Sequence, residues 1–306
     1  MSESTVQRRA TLTGLCAVLL WSTMTAFVRN VAEMLGAVGG AAMIYTCASV
    51  LLLCTVGFSK VSSFPKKYLF FGGILFATYE VFYSLALGYA HNGRQAIEVS
   101  IVNYLWPALT ILFASLFNNQ RYNHFITAGL ILSVFGVSLV LGGEHGFNLR
   151  EIASNIKSNS LSYGLAFFGA IIWAGYCTVT TKLANGKNGV TLFFMLVAVS
   201  LWVKYFMGNE PAFHLNGRSI IYLLLSASTL GFGYAAWNVG ILKGNVTILA
   251  SASYFTPILS SIFAAIVLSA PLTSSFWYGA VAVCLGSLLC WFSTKTGYSP
   301  LLRRRG

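Results

Sequence analysis

The chain has 306 residues, 57% hydrophobic and only 8% charged, where a soluble domain carries about 25% charged residues. No water-soluble core holds that much apolar side chain, so the solvent for most of the surface is lipid. All seven acids are Glu and there is no Asp, which excludes an intramembrane aspartyl protease, a Walker B site and most carboxylate metal sites.

A helix needs about 20 apolar residues to cross hydrocarbon. Ten such runs are predicted in chain order: 10–29, 37–58, 68–90, 95–117, 124–142, 161–183, 190–207, 218–240, 246–268 and 275–293. The first follows Arg8 and Arg9, as a signal peptide would, but it is too long, holds Trp21 and lacks a small-residue cleavage site. It is expected to stay as a mature helix. The third contains FATYEVFYSLALGYA, in which Glu80 sits between Tyr79 and Tyr83 inside an otherwise apolar run. The fourth and ninth contain Pro107 and Pro257. Each proline removes one intrahelical bond and releases the carbonyl four residues earlier, at Asn103 and Ser253. A packing kink and a hinge facing a cavity are both compatible with that. The connections are short except 143–160, so no second soluble domain fits.

The net charge of +12 does not point to nucleic acid. The cations fall in short clusters between apolar runs, as in loops facing anionic headgroups. With the N-terminus inside, thirteen Lys and Arg residues lie in inner segments (Arg8, Arg9, Lys60, Lys66, Lys67, Arg121, Lys182, Lys187, Lys243, Lys295 and Arg303 to Arg305) and six in outer ones (Arg29, Arg94, Arg150, Lys157, Lys204 and Arg218). That bias predicts two cytoplasmic termini. Trp202, Tyr205, Trp277 and Trp291 near span ends read as interface belts.

An offset of 150 residues aligns NYLWPALTILFA with SYFTPILSSIFA: Tyr104 on Tyr254, Pro107 on Pro257, Phe113 on Phe263. The same offset pairs Gly129 with Gly279 and Gly136 with Gly286, and a two-residue gap brings Trp21 onto Trp173 and Gly88 onto Gly240. A five-span unit is therefore duplicated. Because five is odd, the copies, 1–150 and 151–306, are predicted to be inverted repeats within one all-α polytopic membrane domain of ten helices. Such repeats typify secondary transporters with a midplane site. Gly129-xxx-Ser133 and Ala282-xxx-Gly286 predict close helix contacts.

Catalytic chemistry is not legible. The four His lie in connections or at span ends, and no metalloprotease, serine-hydrolase or phosphate-loop motif occurs. The six Cys lie in apolar runs without metal-site spacing and read as small packing residues. No cofactor or metal is expected. Polar aromatics remain. Tyr79 and Tyr83 share a helix face, Trp173 and Tyr176 another, Tyr234, Trp237 and Asn238 a third, and Tyr104 and Tyr254 precede the prolines. Their hydroxyls and indole N–H groups need partners that lipid cannot supply, so they are expected to point inward. They would bond to neighbouring helices or wall a cavity suited to a flat aromatic ligand or a delocalised cation. Glu80 is expected among Tyr79 and Tyr83, either as a hydrogen-bond donor to an adjacent helix or as an attractor for a ligand ammonium. Glu98, near a span end, is the weaker candidate. Arg94 and Lys243 could draw the carboxylate end at the two mouths, or simply be solvated loop charges.

The repeat, the ten spans and NYLWPALTILFASLF…AGLILSVFGVSLVLGG together resemble the EamA-type members of the drug/metabolite transporter superfamily. YEVFYSLALGYAHNGRQAIEVSIVNYLWP is similar to the YddG-type aromatic amino acid exporters of bacteria. The resemblance implies a bacterial inner-membrane exporter of Phe, Tyr and Trp, and of other neutral amino acids or aromatic cations such as methyl viologen, working by alternating access. Many EamA members carry Gly-Glu after the fourth and ninth helices, whereas this chain reads FNNQRY and LSAPLT there, so no coupling carboxylate is assigned to those places. A facilitative pore is the competing reading, although charges are too few for an ion filter. A scaffold is the third.

Overall fold

The computed structural model describes residues 3–118, 122–210, 212 and 214–296. Among them every regular element is helical. They are α1 (Glu3–Ser22), α2 (Met24–Leu35), α3 (Ala37–Thr55), α4 (Gly73–Gly88), α5 (Gly93–Asn103), α6 (Trp106–Phe117), α7 (His124–Leu141), α8 (Leu149–Ser158), α9 (Ser160–Leu183), α10 (Val190–Met207), α11 (Gly217–Lys243), α12 (Val246–Ser253), α13 (Thr256–Val267) and α14 (Ser274–Thr296). A wider π turn, Tyr68–Gly72, leads into α4. Eight helical stretches are long and apolar enough to cross a membrane, nine if the bent pair α1–α2 counts as one.

Two expectations are corrected. The first span is two helices bent by 41°, because Ser22 and Thr23 turn their hydroxyls back onto the carbonyls of Val18 and Leu20. Such back-bonding competes with the helical ladder and bends it. The fourth and ninth spans are each interrupted, at Tyr104–Leu105 and Tyr254–Phe255, so that Pro107 and Pro257 sit in the first turns of α6 and α13. A proline is tolerated there because its missing N–H has no intrahelical partner anyway. The connection 143–160 contains a helix, α8, started by Asn148, whose side chain accepts from the N–H groups of Arg150 and Glu151. Of the cations assigned to the inner face, Arg121 and Arg303 to Arg305 lie outside the described residues, as does the C-terminus.

Asparagine is the N-cap of six of the helices. Asn92, Asn123, Asn148, Asn159, Asn216 and Asn245 each accept from a backbone N–H in the first turn of the following helix. In a chain without Asp this satisfies the orphan donors with no charge to place near lipid. Gly36, at φ +79°, reverses the chain between α2 and α3.

The most extensive helix pairings are α7 with α14, α1 with α11, α3 with α10, and α4 with α9. The α7–α14 seam is backbone on backbone: a Cβ on Gly136 would lie 2.6 Å from the Gly279 carbonyl, and one on Gly129 2.5 Å from that of Gly286. The small-residue spacing thus marks a real close approach. The core between the helices is rich in rings. Phe76 is 1% exposed and lies 5.2 to 6.0 Å from Trp173, Tyr176, Phe193, Phe194 and Tyr234.

Candidate functional site

Residues beside the breaks in the fourth and ninth spans, and beside the bend at Thr23, border one cavity. Where the helices part, it opens to about 210 Å³. Tyr79, Glu80 and Tyr83 from α4, Tyr104 from the first break, Trp173 from α9, and Tyr234 and Trp237 from α11 all line it. Seven of the ten predicted ligand-contact residues are therefore brought together. Tyr79 and Tyr83 stack at 6.0 Å and 15°, as their four-residue spacing on one helix requires. Trp173 covers Tyr79 at 4.4 Å.

Three predicted residues lie elsewhere. Tyr176 stands behind Trp173, 5.0 Å away, and packs on Phe76. Asn238 is half-buried and its Oδ1 accepts from Asn188 Nδ2 at 2.8 Å. Tyr254 is buried, with its ring 6.3 Å from Trp291 of α14, while its neighbours Ser253 and Thr256 face the cavity. Neither proline lines the wall. Both stand just beyond the breaks.

Glu80 is 1% exposed and its partners are not Tyr79 and Tyr83. Tyr45 of α3 donates to Oε2 at 2.5 Å, and Tyr234 of α11 donates to Oε1 at 2.6 Å. Ser84 donates in turn to the Tyr45 hydroxyl at 3.2 Å. Successive residues on a helix diverge by about 100°, which carries Glu80 away from Tyr79 and toward α3 and α11. Distances of this length belong to the charge-assisted class of hydrogen bond. One carboxylate thus ties α3, α4 and α11 at the edge of the cavity. Tyr79 donates to Asn103 Oδ1 at 3.3 Å, and Asn103 Nδ2 reaches the Ala166 carbonyl at 3.1 Å, so the end of α5 is fastened to α4 and α9.

Sequence reasoning missed Tyr45, and from the wall Trp21, Met24, Trp106, Cys177, Leu230 and Thr256. For Trp21 the signal was present in its alignment with Trp173. Its ring lies 5.1 Å from Tyr234 and 5.2 Å from Trp237. Its buried Nε1 has no hydrogen-bond partner among the described residues. Among the described residues no cluster of His, Cys or Glu is placed to hold a metal.

The model of the EamA-like transporter family matches twice, over residues 8–142 and 160–292. The chain is 57% identical to a Salmonella typhimurium (strain 14028s / SGSC 2262) protein named aromatic amino acid exporter YddG, over 94% of this chain and 98% of that one. It is 56% identical to the protein of the same name from Escherichia coli (strain K12), over 95% and 99%. A crystal structure with a TM-score of 0.65 and 21% identity, covering 96% of this chain and 100% of its own, shares the fold. A polytopic helical chain matched along almost its whole length, in two successive halves, belongs to the EamA-like transporter family.

Proposed function

We propose that this transporter exports aromatic amino acids through the cavity between its helices. The observation that carries the reading is a cavity walled by tyrosine and tryptophan rings around a single buried carboxylate. The rings offer faces and edges to a flat side chain. Glu80, held at the edge by Tyr45 and Tyr234, draws the ammonium group, and the unpaired Nε1 of Trp21 is a donor left over for a ligand acceptor. The two relatives named as aromatic amino acid exporters support the same substrate class.

The ten-span, inverted-repeat arrangement of 1–150 and 151–306 belongs to this proposal. It is supported by the family model matching each half. It is also supported by packing that survives exchange of the halves: α1 on α11 answers α9 on α4, α1 on α12 and α13 answers α9 on α5 and α6, and α3 on α10 and α7 on α14 answer themselves. The paired breaks before Pro107 and Pro257 supply hinges for alternating access. The same reading has the protein in the bacterial inner membrane, which the family match supports, with both termini cytoplasmic, which the lysine and arginine bias supports.

The test is flux of labelled phenylalanine in proteoliposomes, with and without an imposed pH gradient. Saturable, stereoselective flux competed by tyrosine and tryptophan is expected. Non-saturable flux would indicate a pore, and none would overturn transport of this class.

A further inference from the structure

A second cavity, of about 350 Å³, opens at the far end of α5 from the ring-lined one. Its wall is polar: His91 and Asn92 from the turn before α5, Arg94, Gln95 and Glu98 from α5 itself, Asn155 and Ser158 from α8, with Gly143. The two cavities share no lining residue. They are joined by α5, which carries Arg94 at one end and Asn103 at the other, about 14 Å apart along the axis.

The acid in this wall is already satisfied. Glu98 is 5% exposed; its Oε1 accepts from Arg94 Nε at 3.1 Å, and its Oε2 accepts from Tyr163 at 2.7 Å and Asn155 Nδ2 at 3.1 Å. Arg94 is not. Only its Nε is engaged, its side chain is 36% exposed, and its two terminal nitrogens have no partner among the described residues. A guanidinium held by one edge on a buried carboxylate presents its other edge in a fixed plane, the geometry that recognises carboxylates. We infer that the polar cavity over α5 is a second ligand site, that it binds small carboxylates through the terminal nitrogens of Arg94, and that it takes the amino acid head group without regard to the side chain. No Phe, Tyr or Trp lines it. Under the proposed function, on which only this last assignment rests, it holds the exported amino acid at the outer mouth.

Ser158 is exposed in the same wall, so Ser158→Cys in the purified full-length protein reports on the site without any transport measurement. Anionic and cationic methanethiosulfonate reagents would be compared, with labelling of the unsubstituted protein subtracted. The anionic-to-cationic rate ratio should fall about tenfold when Arg94→Gln is added, and stay near its starting value with Arg94→Lys. Acetate and glycine should slow labelling, and methylammonium should not. Glu98→Gln, which frees Arg94 from its partner, should strengthen protection by acetate, which keeps the idea testable if Arg94→Gln fails to fold. Equal protection by methylammonium, an unchanged ratio in Arg94→Gln, or weaker acetate protection in Glu98→Gln would overturn the inference. Normal acetate protection in a protein inactive in phenylalanine flux would leave this site standing and remove only the substrate reading.

Discussion

A carboxylate buried at mid-membrane depth costs about 3 kcal/mol to insert even on the mildest scale, and Glu80 offsets that cost with two tyrosine hydroxyls from two other helices. Glu80→Gln preserves shape but cannot accept both short bonds on equal terms. Phenylalanine flux should drop about tenfold or more at unchanged expression, the size expected from losing one charge-assisted hydrogen bond in the rate-limiting state. Wild-type flux between pH 5 and 8 would make Glu80 a structural brace. Tyr45→Phe tests the brace separately. It should lower the thermal unfolding midpoint of the detergent-solubilised protein by removing about 1–3 kcal/mol, with a smaller effect on flux than Glu80→Gln. Another single atom matters at Gly233, where a Cβ would lie 2.7 Å from Trp21 Nε1. Gly233→Ala should push that indole into the cavity and raise the apparent KM for tryptophan several times more than for a small neutral amino acid. Equal changes for both would show that Trp21 does not shape the pocket.

Among the elements, the interrupted spans are the proposed hinges. Pro107→Ala and Pro257→Ala restore an N–H that allows α5 to run into α6 and α12 into α13. Both variants should insert and fold, and both should slow flux. Unchanged rates in both would reduce the breaks to packing features. How much of this was legible depends on what sets each element. The uninterrupted spans were legible because length and apolarity alone fix a helix in lipid. The bend at Thr23 was not, because Ser and Thr back-bonding leaves no mark in hydropathy. The helix α8 was hidden because ten amphipathic residues between two apolar runs read as a loop. Tyr254 shows the limit of repeat reasoning. Equivalence with Tyr104 fixes its place on the backbone but not its surroundings. Trp291 stands beside Tyr254, whereas the matching position in the first half is Leu141, so one ring is drawn toward α14 and the other stays at the cavity. Tyr45 gave no signal at all, being one hydroxyl in an apolar run whose partner is 35 residues away.

For the whole molecule, the charge bias makes a sidedness prediction. Ser158→Cys should be labelled by an impermeant thiol reagent in intact spheroplasts, and Ser62→Cys, in the short 3-10 turn before α4, should be protected until the membrane is opened. The reverse pattern would invert the molecule. The glycine seam between α7 and α14 has a further consequence. If the halves exchange as proposed, that seam maps onto itself: Gly129 meets Gly286 in both states, and Gly136 meets Gly279. Its energy is therefore common to both conformations and cancels from their ratio, while the α1–α11 and α4–α9 contacts trade places and set the bias. Gly136→Ala, which forces a methyl group against the Gly279 carbonyl, should cost about 1–3 kcal/mol of overall stability, seen as a lower unfolding midpoint. It should leave the inward-to-outward population, read by double electron–electron resonance between spin labels on the two faces, where it was. In the proposed exchange the seam is the fixed axle, and damage to an axle weakens every position equally without favouring one.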